Sequence, residues 1–239
     1  MNRTAFVTGA DRGLGQALSA GLLAQGWQVF AGQYIPEWPE LAALAENYPE
    51  NLKLIPLDVT NLESAKSAAA QVSHLTDRLD LLINNAGVIS PSTSRPIREG
   101  LDYAEMHRLF DVNAVGPLRV VEAFLPLMSD SSWKRLCFVS SESGSINRCR
   151  RDAWYDYCMS KAALNMGIRI LFNYLRPEGF TFRVYHPGWV RSYMSGSKNM
   201  QANLEPVQAA GKALPIFLAD RPDEDRLVMV DYEGVEWPW

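Results

Sequence analysis

With 239 residues, 47% hydrophobic and 21% charged, the chain has the length of one large domain and the composition of a folded protein, which excludes disorder over most of it. Lys plus Arg number 23 against 27 Asp plus Glu, a net charge of −4, so no global field draws it to nucleic acid or anionic lipid, and neither is expected as a partner. Cys137, Cys149 and Cys158 form no C-x-x-C pair and have no histidine at ligand spacing; no disulfide framework and no metal are expected, and the expected compartment is a reducing cytoplasm.

The first residues lack the tripartite pattern of a secretory signal, and no apolar run approaches a membrane span. A strand is predicted at 4–8, followed at once by Gly9-Ala10-Asp11-Arg12-Gly13-Leu14-Gly15 and a helical pattern over 14–25. Glycines there permit positive φ and close backbone approach, and the helix start offers unpaired N–H groups, the physical makings of a phosphate cradle. The strict G-x-G-x-x-G spacing fails, because Leu18 stands at the third glycine position. Taken alone, the segment also fits a plain tight turn.

The second strand, 28–32, runs into Gln33 and Tyr34 with no acidic residue at its end. A helix over 39–47 leads to a strand at 52–57 closed by Asp58 and Val59, and Asn61 precedes a helix over 62–75 as a short polar cap. The fourth strand, 79–84, ends in Asn84-Asn85-Ala86-Gly87, and a long helical pair over 101–128 contains Asn113. The fifth strand, 135–140, closes on Ser140-Ser141. Helix 155–175 carries Tyr157 and Lys161 four residues apart, hence on one face and roughly 6 Å from each other. A sixth strand at 181–185 leads into Pro187-Gly188-Trp189-Val190-Arg191-Ser192, then a helix at 206–219 and a seventh strand at 227–230. Strands alternating with helices over the whole length predict an α/β fold in one domain, 1–239, with a mainly parallel seven-stranded sheet.

A phenol with an ordinary pKa near ~10 is a poor proton mediator at neutral pH unless its surroundings change it, and an ammonium one turn away is a means of doing so. Tyr155 has no lysine four residues on; Tyr157 has. Tyr-x-x-x-Lys alone fits a plain helix surface equally well.

In order, the Thr-Gly-x-x-x-Gly-x-Gly turn, Asn-Asn-Ala-Gly, the helical Asn113, the strand-end serine and Tyr157-x-x-x-Lys161 resemble the classical short-chain dehydrogenase/reductase family, in its carbonyl-reductase-like and cell-contact-signalling branch. The resemblance implies a doubly wound Rossmann fold with helices on both faces and a dinucleotide across the carboxyl ends of the strands. It implies a hydride-transferring oxidoreductase acting on a small carbonyl or alcohol, with Tyr157 as general acid/base, Ser141 holding the substrate oxygen, Lys161 on the nicotinamide ribose and Asn113 in a water-mediated proton path. Cofactor contacts carried over are Gly9, Asp11, Arg12, Gly13, Leu14 and Gly15 at the phosphates, Gln33 at the adenosine ribose, Asp58 and Val59 at the adenine, Asn85, Ala86 and Gly87 along the fourth strand end, and Pro187, Gly188, Val190 and Ser192 toward the carboxamide. Without an acid at the second strand end, and with Arg12 where relatives reach a 2′-phosphate, NADP(H) is expected ahead of NAD(H). The Ser141–Tyr157 interval is longer than the family's, the surplus being placed in 147–152, and Ser143 competes with Ser141. Arg148, Arg150 and Arg151 read either as a solvated loop or as a mouth for an anionic substrate. A lid is expected over about 189–205, and a homo-oligomer, dimer or tetramer, is common among such chains. The alternative function is a nucleotide-binding signalling protein with little turnover; an isomerase or dehydratase is a third reading.

Overall fold

The computed structural model describes residues 3–239. Among them, strands β1 (Thr4–Val7), β2 (Gln28–Gln33), β3 (Leu52–Pro56), β4 (Leu81–Asn84), β5 (Arg135–Val139), β6 (Thr181–His186), β7 (Met229–Asp231) and β8 (Glu236–Trp237) form one sheet. Its order is β3-β2-β1-β4-β5-β6-β7-β8. The first seven are parallel, as connections through helices require, and only β8 runs antiparallel. The order reverses between β1 and β4, which opens a crevice at their carboxyl ends.

The helices are α1 (Gly13–Leu23), α2 (Pro39–Asn47), α3 (Leu62–Ser73), α4 (Tyr103–Phe110), α5 (Gly116–Ser129), α6 (Tyr155–Leu175) and α7 (Pro206–Leu218). The two-residue period of the strands distributes side chains to two cores. Ala5 and Val7, Leu81 and Ile83, Cys137 and Val139 point to the face carrying α1 and α7, while Phe6, Leu82, Leu136 and Phe138 point to that of α3, α5 and α6. All are at most 9% exposed, which is why these strands are continuous apolar runs rather than alternating ones.

The expected seven-stranded sheet is corrected to eight. The chain turns at Gly234 (φ +84) and lays Glu236–Trp237 on β7. Asp231 anchors the turn: one carboxylate oxygen accepts from the Glu233 and Val235 amides at 2.9 Å, the other from the Trp237 indole at 2.8 Å. Two residues beside Pro238 are too short to show a strand periodicity. The expected helical pair is also interrupted. A π-helical turn, Asp111–Val115, joins α4 to α5 and places Asn113 at its centre.

Candidate active site

Gly9 (φ +61) and Gly13 (φ +58) take up left-handed backbone after β1. At Gly15 a Cβ would lie 2.2 Å from the Gly9 carbonyl oxygen and 2.5 Å from the Asn85 amide nitrogen; at Gly9 it would lie 2.9 Å from Ala86 Cα. The turn is therefore built around missing side chains, and at Gly13 it stays open, the nearest atom being Ser192 Cβ at 3.7 Å. Such a cradle at the start of α1 fits a pyrophosphate.

Several residues predicted from the sequence as cofactor contacts have side chains already committed within the chain. Asp11 is buried, and one carboxylate oxygen accepts from the Tyr34 and Ile35 amides at 2.8 and 2.6 Å, which ties the end of β2 to the glycine turn. Leu14 is buried in the α1 core. The Asn85 amide donates to the Thr8 and Gly9 carbonyls at 2.9 and 3.1 Å. Thr8, the first residue of the glycine motif, accepts at its hydroxyl from the Asn85 and Ala86 amides at 3.0 and 2.9 Å. Asp58 accepts from the Thr60 amide and hydroxyl at 2.9 and 2.7 Å. Val59 lies against Gly116, where a Cβ would come within 3.0 Å of it. Gln33 donates to the Pro36 carbonyl at 3.4 Å.

Tyr157 and Lys161 project from the first turns of α6 toward the end of β5. The Ser141 hydroxyl lies beside the Tyr157 phenol, where it favours the ionised form, and it accepts from the Ser143 amide at 3.1 Å. The hydroxyl of Ser143 instead faces Glu142, at 3.1 Å from its carboxylate, and Ser140 donates to Asn165 at 2.6 Å. Of the neighbouring serines, it is Ser141 that meets the phenol. Lys161, 3% exposed, donates to the Val139 carbonyl at 3.0 Å, and its nitrogen is 5.8 Å from the Tyr157 ring centre. Gly87 closes the group, since a Cβ there would be 3.3 Å from Asn113 Oδ1 and 3.7 Å from Lys161 Nζ.

Burial dominates the protonation of this pair. Desolvation, only partly offset by the Ser141 hydrogen bond, pushes the phenol up to about 12, with Glu142 acting in the same direction. Desolvation lowers the Lys161 ammonium to about 8. In the chain by itself the phenol is therefore held above, not below, its ordinary value.

Asn113 is fully buried and wholly committed: its amide nitrogen donates to the Val88 carbonyl at 2.9 Å and the Ser160 hydroxyl at 3.1 Å, while its oxygen accepts from the Val88 amide at 2.8 Å. Ser160 donates in turn to the Tyr157 carbonyl at 2.8 Å. Both side-chain donors being spent within the chain, Asn113 links the end of β4 to α6.

Trp154 begins α6 in the left-handed region (φ 68), its amide bonded to the Thr93 carbonyl at 2.9 Å and its ring edge-on to Tyr157 at 6.2 Å. A bulky residue so placed is strained, and such strain collects at functional sites. Asp156 accepts from Thr93 and from the Tyr157 amide, fixing the loop before the helix. Neither role has a sequence signature. The surplus loop is folded down: Ser145 and Asn147 bond the Pro238 and Trp239 carbonyls at 2.5 and 3.1 Å. Arg148 stacks on Trp237 at 4.7 Å, Arg151 pairs with Glu142 at 2.5 Å, and Arg150 donates to the Cys149 carbonyl. All three loop arginines thus have partners within the chain. His186 lies between the Tyr232 and Trp237 rings.

Pro187 and Gly188 (φ +75) turn the chain out of β6, with Tyr232 so close that a Cβ on Gly188 would lie 2.7 Å from its ring. The segment 189–205 is tied at its base by a Val190–Leu204 bridge and by Arg191 bonded to the Ala202 carbonyl and Glu205, both at 2.8 Å. Val190 is buried, and Ser192 borders the glycine turn.

A family model described as short chain dehydrogenase matches residues 3–203. The chain is 40% identical over 164 residues to C-signal of Myxococcus xanthus, covering 69% of this chain and 95% of that one. It is similar to the NADPH-bound carbonyl reductase from chicken fatty liver (TM-score 0.86, 29% identity, 100% and 99% of the two chains). A further solved relative is a short-chain dehydrogenase/reductase from Burkholderia multivorans with bound NADP (TM-score 0.88, 30% identity, 100% of both). On this match and this geometry, the chain belongs to the short-chain dehydrogenase family of NAD(P)-dependent oxidoreductases.

Proposed function

We propose that the protein is an NADP(H)-dependent reductase of small carbonyl compounds, with Tyr157 as proton donor. The observation that carries this reading is the meeting of Tyr157, Ser141 and Lys161 at the carboxyl ends of β4 and β5, in the same crevice as the glycine cradle. A bound nicotinamide supplies the hydride. The Ser141 hydroxyl orients the substrate oxygen toward the phenol. Tyr157, protonated at neutral pH and held the more firmly so by burial, gives its proton to that oxygen as negative charge develops there, and Ser141 stabilises the same charge. Lys161 is held by the Val139 carbonyl within reach of the ribose side of the crevice and is the nearest cation to the resulting phenolate.

The NADP(H) preference rests on Arg12, on the lack of an acid at the end of β2, and on relatives that hold NADPH or NADP. Trp154 and Trp189, the latter 55% exposed, would wall the substrate side, and segment 189–205 would act as a lid over it. A homo-oligomer is part of the reading: Met159, Met166, Ile170 and Tyr174 lie exposed along one face of α6, a surface suited to a second copy. The likeness to C-signal favours, as second reading, a signalling protein with little turnover. Among the described residues no helix is long and apolar enough to cross a membrane, and a cytoplasmic setting is retained as part of the proposal.

The test is NADPH consumption across a panel of aldehydes, ketones and quinones. Turnover of at least one of them is expected, with Arg12→Ala raising the KM for NADPH about ten- to a hundredfold and that for NADH by a few-fold at most. Nucleotide binding without turnover of any carbonyl would favour the signalling reading, and equal losses for both nucleotides would remove Arg12 from cofactor choice.

A further inference from the structure

Ser141 and Tyr157 meet although a long loop separates them, and between the short turn Glu142–Gly144 and α6 that loop has no helix or strand to set its path. Its outer side is fastened by the Pro238 and Trp239 carbonyls and by the Trp237 ring. Toward the site it is held by an ion pair. The Arg151 guanidinium donates to both oxygens of the Glu142 carboxylate, Nη1 to Oε2 at 3.0 Å and Nη2 to Oε1 at 2.5 Å. The same guanidinium carbon lies 4.9 Å from the Trp154 ring centre, and the Trp154 ring is edge-on to Tyr157. Glu142 follows Ser141 in the chain, so these contacts close a ring that runs from Ser141 through Glu142, Arg151, Trp154 and Tyr157 back to Ser141 beside the phenol.

The side chains of Arg151 and Glu142 are 31% and 27% exposed, and a pair so placed adds little to overall stability. Its two-point geometry fixes orientation instead. What it fixes is the approach to α6, where Trp154 keeps a left-handed backbone that a bulky residue holds only when its surroundings over-determine it. The pair also brings two opposite charges to the phenol from outside its own helix: Glu142 disfavours the phenolate and Arg151 favours it, while Cys158 and Lys161 face it from α6. His186, at the end of β6, lies on the Glu142 side. Burial works against the Glu142 charge, but the Arg151 bonds hold its carboxyl below the ordinary value, so it is ionised at neutral pH. With the pair closed the two charges oppose each other at the phenol; with Arg151 removed, Glu142 acts there without its counter-ion.

We propose that Glu142 and Arg151 are positioning residues of the reaction: their ion pair sets the Ser141–Tyr157 geometry across the loop and balances the charge that the phenol faces. The inference rests on the reading of Tyr157 and Ser141 given above and adds two residues that act through them. Loss of either partner loosens the same loop, so both losses slow the chemical step. Their effects on the phenol have opposite signs, because the charge left behind differs.

The experiment is steady-state kinetics on the full chain, with a carbonyl that the wild type reduces and, in reverse, oxidation of the corresponding alcohol by NADP as a function of pH. Arg151→Met should lower kcat for reduction about tenfold and leave the KM for NADPH within about twofold, which also reports that it folds. Alcohol oxidation needs the phenolate as base, so the pH at which it reaches half its plateau should rise by about half a unit to one unit in Arg151→Met and fall by a similar amount in Glu142→Gln. Glu142→Arg and Arg151→Glu set like charges face to face; the double variant re-forms the pair and should be at least about tenfold faster than either. Arg150→Met, on the same loop, should leave kcat and the profile unchanged. Glu142→Gln is isosteric and carries the test if a reversal variant fails to fold. Profiles that move the same way or not at all, a double reversal no faster than the single ones, or an Arg150→Met effect equal to that of Arg151→Met overturns the proposal and leaves the reading of Tyr157 standing. A wild type that reduces no carbonyl overturns both.

Discussion

In the proposed mechanism Lys161 is needed for the chemistry, and its burial is costly to the fold. Its ammonium is buried against the Val139 carbonyl, and desolvation brings it from the ordinary value of 10.5 down to about 8. Because the folded chain binds this proton less tightly than the unfolded one, stability is reduced below about pH 8 and recovers as pH rises from there toward 10.5. Lys161→Met should therefore raise stability at pH 7 by about 1–3 kcal/mol, measured by urea denaturation, while turnover is lost. The gain should shrink by pH 10. A variant less stable than the wild type at pH 7 would show that the Val139 bond outweighs the burial. The Tyr157–Lys161 pair was legible because helix geometry alone places residues four apart side by side. Trp154 was not: it owes its place to a left-handed backbone that no residue type there announces.

At the scale of elements, the glycine turn and the start of α1 are one device, since the Gly9 carbonyl, Asn85 and Gly15 occupy a space with no room for a methyl group. Gly15→Ala should cost at least about 2 kcal/mol and abolish dinucleotide binding, whereas Gly26→Ala, at a turn with no neighbour within 4 Å, should leave binding intact and pay only for its positive φ. Thermal melts with and without NADP would separate the two. Helix α6 was read from sequence at its observed bounds, Tyr155–Leu175, because Pro177 and Gly179 (φ +90) stop it. The π turn at Asn113 was hidden, since every residue in it reads as helical and only the packing of Gly116 on Val59 and of Asn113 on Val88 reveals the extra residue.

Across the whole molecule, the ends of the sheet divide the labour. The carboxyl ends carry the crevice; the opposite ends are closed by buried charge. Arg135, 1% exposed, donates to the carbonyls of Phe217 and Ala219 at 3.1 and 3.0 Å and to Asp220 at 2.7 Å, and stacks on Trp133 at 4.0 Å. Arg183 bonds the Ala219 carbonyl and Glu224, both at 2.6 Å. Together they satisfy the last carbonyls of α7 and fasten that helix to β5 and β6. Arg135→Ala should destabilise by about 3–5 kcal/mol in chemical denaturation without altering the KM for nucleotide of the surviving folded fraction. The alternation of strands and helices made this architecture legible from sequence, but the buried arginines and the β8 hairpin depend on contacts between distant segments, which no local pattern records.

The most direct measurement of the central claim is single-turnover reduction of a carbonyl by pre-bound NADPH in the wild type and in Tyr157→Phe. The account predicts nucleotide affinity unchanged within a few-fold and a chemical step slowed by about a thousandfold or more. A Tyr157→Phe enzyme that reduces the same substrate at the wild-type rate would contradict it.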